Sequence, residues 1–103
     1  MKYKLFLRGE AHEPTENFSQ VVEKIYKWLQ ETTTYIRLSP KFKHPAGAVS
    51  WYGESAYPFA DSIRIDSEEI LEHVLSEPFK YGSEGLTILL PSYRAVAFIE
   101  IEE

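Results

Sequence analysis

The chain has no cysteine. Disulfides, thiolate metal sites and cysteine nucleophiles are therefore excluded outright. It also has no apolar run approaching the ~20 residues that a membrane helix needs. The amino-terminal MKYKLFLRGE does not read as a signal peptide, because its apolar run, Leu5 to Leu7, stops at Arg8. These absences place the expected location in the cytoplasm, with no membrane partner. Several chemical signatures are missing too. There is no GxGxxG, no P-loop, no GxSxG elbow and no HExxH. Ser50, Ser55, Ser62 and Asp61 suggest no catalytic triad. No cofactor and no metal is expected, and the balance leans away from an enzyme. Internal repeats, linkers and low-complexity tracts are also lacking.

What is present is an ordinary globular balance. The chain has 103 residues, 44% of them hydrophobic and 26% charged, which fits one folded domain over 1–103 and argues against disorder. A chain of this length buries roughly 65% of its unfolded surface, enough for one core. Aromatics are plentiful at 15%, more than a small core hides, so some are expected at the surface. The formal net charge of −5 argues against bulk attraction to nucleic acid or anionic lipid and suits a basic protein partner.

The pattern is organised around Leu86 to Ile101, LTILLPSYRAVAFIEI. Two β-rich runs flank Pro91-Ser92-Tyr93, which reads as a hairpin turn. The first run carries no charge, as expected of a strand buried on both faces. Upstream, Tyr3 to Arg8 alternates as a half-buried strand, and Gly9 to Pro14 reads as a loop. Asn17 with Gln20 reads as a capping box for a first helix. Phe18, Val21, Val22, Ile25, Trp28 and Leu29 form its buried stripe, with Tyr26 and Trp28 at the margins. Tyr35 to Leu38 is a short strand ended by Ser39-Pro40. Ala48 to Tyr52 reads as another strand, and Ser62 to Ile65 as a brief one.

A second helix is expected from an N-cap at Asp66, with Ile65 and Ile70 as a hydrophobic staple. Its stripe is Ile70, Leu71, Val74 and Leu75, and Pro78 ends it near Glu77. The order is β-α-β-β-(β)-α-β-β. It predicts an α+β fold, with an antiparallel or mixed sheet of four to six strands and both helices on one face. A split βαβ, ferredoxin-like arrangement with an extra carboxy-terminal strand is the first topology, with other strand orders close behind.

Three groups of residues are candidates for function. The second helix projects Glu68, Glu69 and Glu72, a carboxylate row that suits an arginine-rich partner. Alternation sends Phe6, Val96 and Phe98 to the sheet face opposite the helices, where they need a cover from the Phe42 to Phe59 segment, a protein partner or a homodimer. Arg37, Lys41, Lys43 and His44, interleaved with Trp51 and Tyr52, form a basic and aromatic region suited to a nucleotide or single-stranded nucleic acid. Glu10, His12 and His44 are the residues an enzyme reading would use. In size and charge the chain resembles small inhibitor, immunity and phage-encoded antagonist proteins, with no motif behind the resemblance. The leading expectation is a small acidic protein-binding module that occludes a partner. Nucleic-acid or nucleotide binding is the alternative, and a small enzyme comes third.

Overall fold

The structure is a computed structural model that describes residues 1–32, 35–42 and 62–102. In chain order it comprises β1 (Lys2–Leu7), β2 (Glu10–Ala11), α1 (Phe18–Thr32), β3 (Tyr35–Phe42), β4 (Ile63–Arg64), α2 (Glu68–Lys80), β5 (Ser83–Leu89) and β6 (Ala95–Glu102). The strands form one six-stranded sheet in the order β2-β1-β6-β5-β3-β4. Every pairing is antiparallel, and the expected α+β class with both helices on one face is observed. Two antiparallel steps make β4 and β5 parallel with β3 between them, so β4–α2–β5 is a split βαβ unit. The last strand, β6, enters the middle of the sheet between β5 and β1. The strand expected over Ala48 to Tyr52 lies outside the described residues.

The core sits between the sheet and the two helices. Leu5, Ile99, Leu86, Ile88, Ile36 and Leu38 face Val21, Val22, Ile25 and Leu29 of α1 and Leu71 and Leu75 of α2. Register aligns them across the strands, with Leu5 opposite Ile99, Ile99 opposite Leu86 and Ile88 opposite Leu38. Each fully buried aliphatic side chain stabilises the fold by roughly 1.5–3 kcal/mol. β5 buries Leu86 and Ile88 on the helix side, and Ser83 and Gly85 are buried as well. Its other face carries the half-buried Thr87 and Leu89, so the expectation of burial on both faces holds in part.

α1 begins as the sequence predicts. Asn17 Oδ1 accepts the Ser19 N–H at 3.0 Å, and the Asn17 N–H donates to Thr15 Oγ at 3.0 Å. The Gln20 N–H bonds to Asn17 C=O at 3.1 Å, but its side chain accepts from the Thr15 hydroxyl at 3.1 Å instead of reaching the Asn17 N–H, so the cap spreads over Thr15 and Asn17. Tyr26 and Trp28 flank the buried stripe as expected.

α2 starts one residue later than predicted. Ser67, extended at φ −152° and ψ 164°, is the N-cap, and its hydroxyl accepts the Ile70 N–H at 3.2 Å. Asp66 instead accepts from Arg64 Nε at 2.7 Å, a hydrogen bond that raises the guanidinium further above its already high ordinary value. Leu71 and Leu75 are buried as expected and Pro78 joins them, whereas Ile70, expected in the buried stripe, is 39% exposed. The helix also runs past Pro78 to Lys80. Pro78 is itself buried, and Phe79 packs edge-on against Tyr3 and Phe18 at 5.8 and 5.9 Å between ring centres. This anchoring carries the last turn beyond the proline. Tyr81 and Gly82 then close it with N–H bonds to Pro78 and Phe79, and Gly82 takes φ +95°.

Two further departures concern edges. β3 continues through Ser39-Pro40 to Phe42, with Pro40 opposite Leu86. A proline is tolerated where the outward N–H has no partner strand, and β4 pairs only Tyr35 and Ile36 among the described residues. The segment after Gly9 is not a bare loop. Arg8 and Gly9, at φ 53° and 85°, form a two-residue primed turn into β2. Residues 10–15 then run along the outer edge of β1. His12 N–H bonds to Leu5 C=O at 2.8 Å, and Tyr3 and Thr15 exchange bonds at 2.8 and 3.0 Å.

The central hairpin turns through Pro91-Ser92-Tyr93 as expected. Tyr93 N–H bonds to Leu90 C=O and Leu90 N–H to Arg94 C=O, both at 2.8 Å. The third loop position is left-handed, at φ 71°, and it holds a tyrosine where glycine is the usual occupant. The Arg37 guanidinium lies 4.5 Å from the Tyr93 ring centre, and its Nε donates to Pro91 C=O at 3.3 Å.

Two outcomes follow from these caps and turns. Ser67→Ala should destabilise the domain by about 1 kcal/mol in chemical denaturation, while Asp66→Ala leaves amide exchange in the first turn of α2 unchanged. Tyr93→Gly should raise stability by about 0.5–1 kcal/mol, because the left-handed penalty of roughly 1–2 kcal/mol exceeds an exposed cation–aromatic contact of about 0.5–1 kcal/mol. A lower melting temperature for the glycine variant would show that the Arg37 contact dominates.

Candidate functional site

Alternation decides what the sheet displays on the face away from the helices. With Leu5, Ile99, Leu86 and Leu38 turned to the helices, their neighbours turn away. One row across the sheet reads Phe6, Phe98, Thr87, Ser39; the next reads Lys4, Glu100, Gly85, Lys41. No described helix packs on this side. Phe6 and Phe98 are both half-buried, and neither belongs to the core cluster. Val96, also expected on this face, packs against the core instead. The register shift between Ile88 and Leu89 leaves Val96 as an extra residue in β6, and a bulge re-aims its side chain.

Phe98 has a definite seat. A Cβ placed on Gly85 would come within 3.2 and 3.3 Å of its ring carbons Cζ and Cε1. The ring therefore lies over Gly85 and takes the space that a side chain on β5 would fill. Its other neighbour is Phe6, with ring centres 6.1 Å apart and planes at 35°. Lys4 Nζ stands 5.3 Å from the Phe6 ring centre. The result is a small aromatic platform across β1, β6 and β5.

The platform opens at one end into a groove of about 670 Å³. Its walls include Phe6, Phe98 and Trp28, with the small residues Gly9, Ala95 and Ala97 between them. Arg8 and Arg94 stand on its rim, each in a turn, and both are exposed. The two turns lie side by side because Arg8 N–H bonds to Val96 C=O at 2.9 Å.

The sequence candidates divide between surfaces. Glu68, Glu69 and Glu72 lie on α2, on the helix side, and Phe98 lies on the opposite face of the sheet. Fold geometry does not bring those four together. Glu69 and Glu72 are exposed, Glu68 is half-buried, and Glu72 meets the Ser19 hydroxyl at 3.4 Å. Arg37 and Lys41, four residues apart on β3, do share the Phe98 face. Lys43, His44, Trp51 and Tyr52 lie outside the described residues, as does the cover expected from the Phe42 to Phe59 segment. Glu10 is exposed on β2, and His12 Nδ1 lies 3.5 Å from Lys24 Nζ, beside a cation rather than a carboxylate. No group of three metal-binding side chains occurs among the described residues.

Sequence reasoning missed Arg8, Arg94 and Gly85. Two turn arginines look unrelated 86 positions apart until β1 and β6 are known to be neighbours. The signal that could have found them is the pair of turn signatures, Arg8-Gly9 and Pro91 to Tyr93, which antiparallel pairing of the first and last strands brings to one end. Comparison of the chain with known protein families, curated proteins and solved structures gives no match.

The seat of Phe98 makes a measurable coupling. Gly85→Ala alone should destabilise by about 1 kcal/mol as the ring is pushed off its seat. In a Phe98→Ala background the same change should become neutral or stabilising, because strand glycine is itself unfavourable by roughly 0.5–1 kcal/mol. Additive effects in that double-mutant cycle would mean the ring does not rest on Gly85.

Proposed function

We propose that this chain is a small cytoplasmic protein-binding module that acts by occluding its partner, and that its contact surface is the face of the sheet opposite the helices. The observation that carries this reading is the Phe6–Phe98 pair on that face, outside the core and rimmed by arginine. Aromatic and arginine anchors in a partly apolar surface are where binding energy concentrates. Those rings sit on paired strands, with Phe98 fixed over Gly85, so little is lost in ordering them on contact. The acidic face of α2 contributes solubility in this reading, and it offers a separate place for a basic partner.

A second reading, single-stranded nucleic acid, is favoured by one observation. Arg37 and Lys41 lie on the same sheet face as the two half-buried rings, and cations beside aromatic rings on a sheet face make a stacking platform. The net charge of −5 opposes it, since a long polyanion meets the field of the whole chain.

Affinity capture from the native cytoplasm separates these readings. The wild-type chain should retain a protein in stoichiometric amount, and Phe6→Thr should lose it without lowering the melting temperature by more than a few degrees. Threonine keeps strand propensity at that position while removing the ring. If reversal of Glu68, Glu69 and Glu72 to lysine abolishes capture while Phe6→Thr does not, the partner sits on α2 and the sheet-face assignment falls. Co-purification of an oligonucleotide instead of a protein would favour the second reading.

A further inference from the structure

We propose that the groove at the turn end of the sheet takes a short acidic segment of the protein partner, with an apolar side chain seated against the Phe6–Phe98 pair and carboxylates held by Arg8 and Arg94. This deepens the protein-binding reading above and rests on it.

Charge complementarity carries the choice of occupant. Two of the strand cations are already engaged with rings, Lys4 over Phe6 and Arg37 over Tyr93. Arg8 and Arg94 have no ion pair or side-chain hydrogen bond among the described residues, although both border the same groove. Their positions are fixed by main-chain bonds, Arg8 N–H to Val96 C=O at 2.9 Å and Leu90 N–H to Arg94 C=O at 2.8 Å. A guanidinium fork matches a carboxylate in two parallel hydrogen bonds, and apolar walls beside it reduce competition from water.

The groove also argues for a brief acidic stretch rather than a polyanion. Two arginines at adjacent turns make one positive end, not a track along a strand. Glu31, the carboxylate among its described lining residues, and the chain's net charge both weaken the hold on a continuous phosphate backbone. The small residues Gly9, Ala95 and Ala97 leave depth for one large apolar side chain.

The test uses a short synthetic peptide in which glutamate alternates with phenylalanine, titrated into the isotope-labelled chain. Amide shifts are expected at Arg8 and from Ala95 to Phe98. Arg8→Asn with Arg94→Gln should weaken binding by at least about tenfold while melting stays unchanged; asparagine suits the positive φ at position 8, so the turn is kept. The inference is overturned if the peptide shifts other residues, if its glutamine counterpart binds as tightly, if a short oligothymidylate binds the groove more tightly, or if these residues mediate self-association. Should Phe6→Thr lose protein capture while the arginine variant keeps both capture and peptide affinity, the protein-binding reading stands and the acidic segment falls. Should Phe6→Thr keep capture, both fall.

Discussion

One-sided burial of the central hairpin is the constraint on which the rest of the structure depends. Ile99 is fully buried between Leu5 and Leu86, and Ile88 lies between Ala97 and Leu38. Because side chains alternate with a period of two, turning these residues to the helices leaves their neighbours no choice of face. A slip of one residue would send the whole set into water and bring Phe98, Thr87 and Gly85 against α1 and α2. At roughly 1.5–3 kcal/mol for each large aliphatic side chain, that exchange exceeds any gain from hiding two phenylalanines. The register of the sheet therefore follows from its helix-facing side, and the opposite face inherits what remains.

What remains is handled locally. A glycine in a central strand leaves backbone without side-chain cover, and a phenylalanine turned away from the core needs another seat. Phe98 lying on Gly85 meets both needs at once, and Phe6 beside it shields a further edge. This explains why both rings are half-buried without belonging to the core. The same economy operates at the other end of the molecule, where Tyr3, Phe18 and Phe79 close the gap between sheet and helices through edge-on contacts. The abundance of aromatics thus divides between sealing the core and furnishing a surface.

The parts of this arrangement that obey a short-range period were legible in the sequence. The α1 stripe, the Leu86–Ile101 hairpin and the opposition of Leu5 to Phe6 are statements about spacing, and spacing survives folding. Features set by competition between near-equal local options were not. Asp66 and Ser67 are both good caps; Ser67 takes the role while Asp66 pairs with Arg64, a partner two residues back that capping rules do not weigh. Pro78 is a helix stop by its own geometry, yet its burial beside Phe79 carries one more turn. β2 is two residues long and exists because the edge of β1 needs partners, a demand invisible in Glu10 and Ala11 themselves. For the candidate site, Phe98 was found from alternation, whereas Arg8, Arg94 and Gly85 required strand order. Neighbouring places on a sheet are the least local fact about it.

Net charge illustrates the same difference of scale. A total of −5 describes the field felt at a distance, and it discourages the approach of a long polyanion. At contact the range is shorter, since charges are screened over about 8 Å at physiological salt. The molecule measures 36 × 30 × 24 Å, so even its shortest axis spans several such lengths. The glutamates of α2 on one side and Arg8 and Arg94 at the edge of the other face therefore act on their surroundings almost independently. An acidic chain can in this way carry a local cationic and aromatic surface on one side and an acidic helix on the other. Because the helices and the platform occupy opposite faces of one sheet, the register that buries Leu86 and Ile99 also sets that separation.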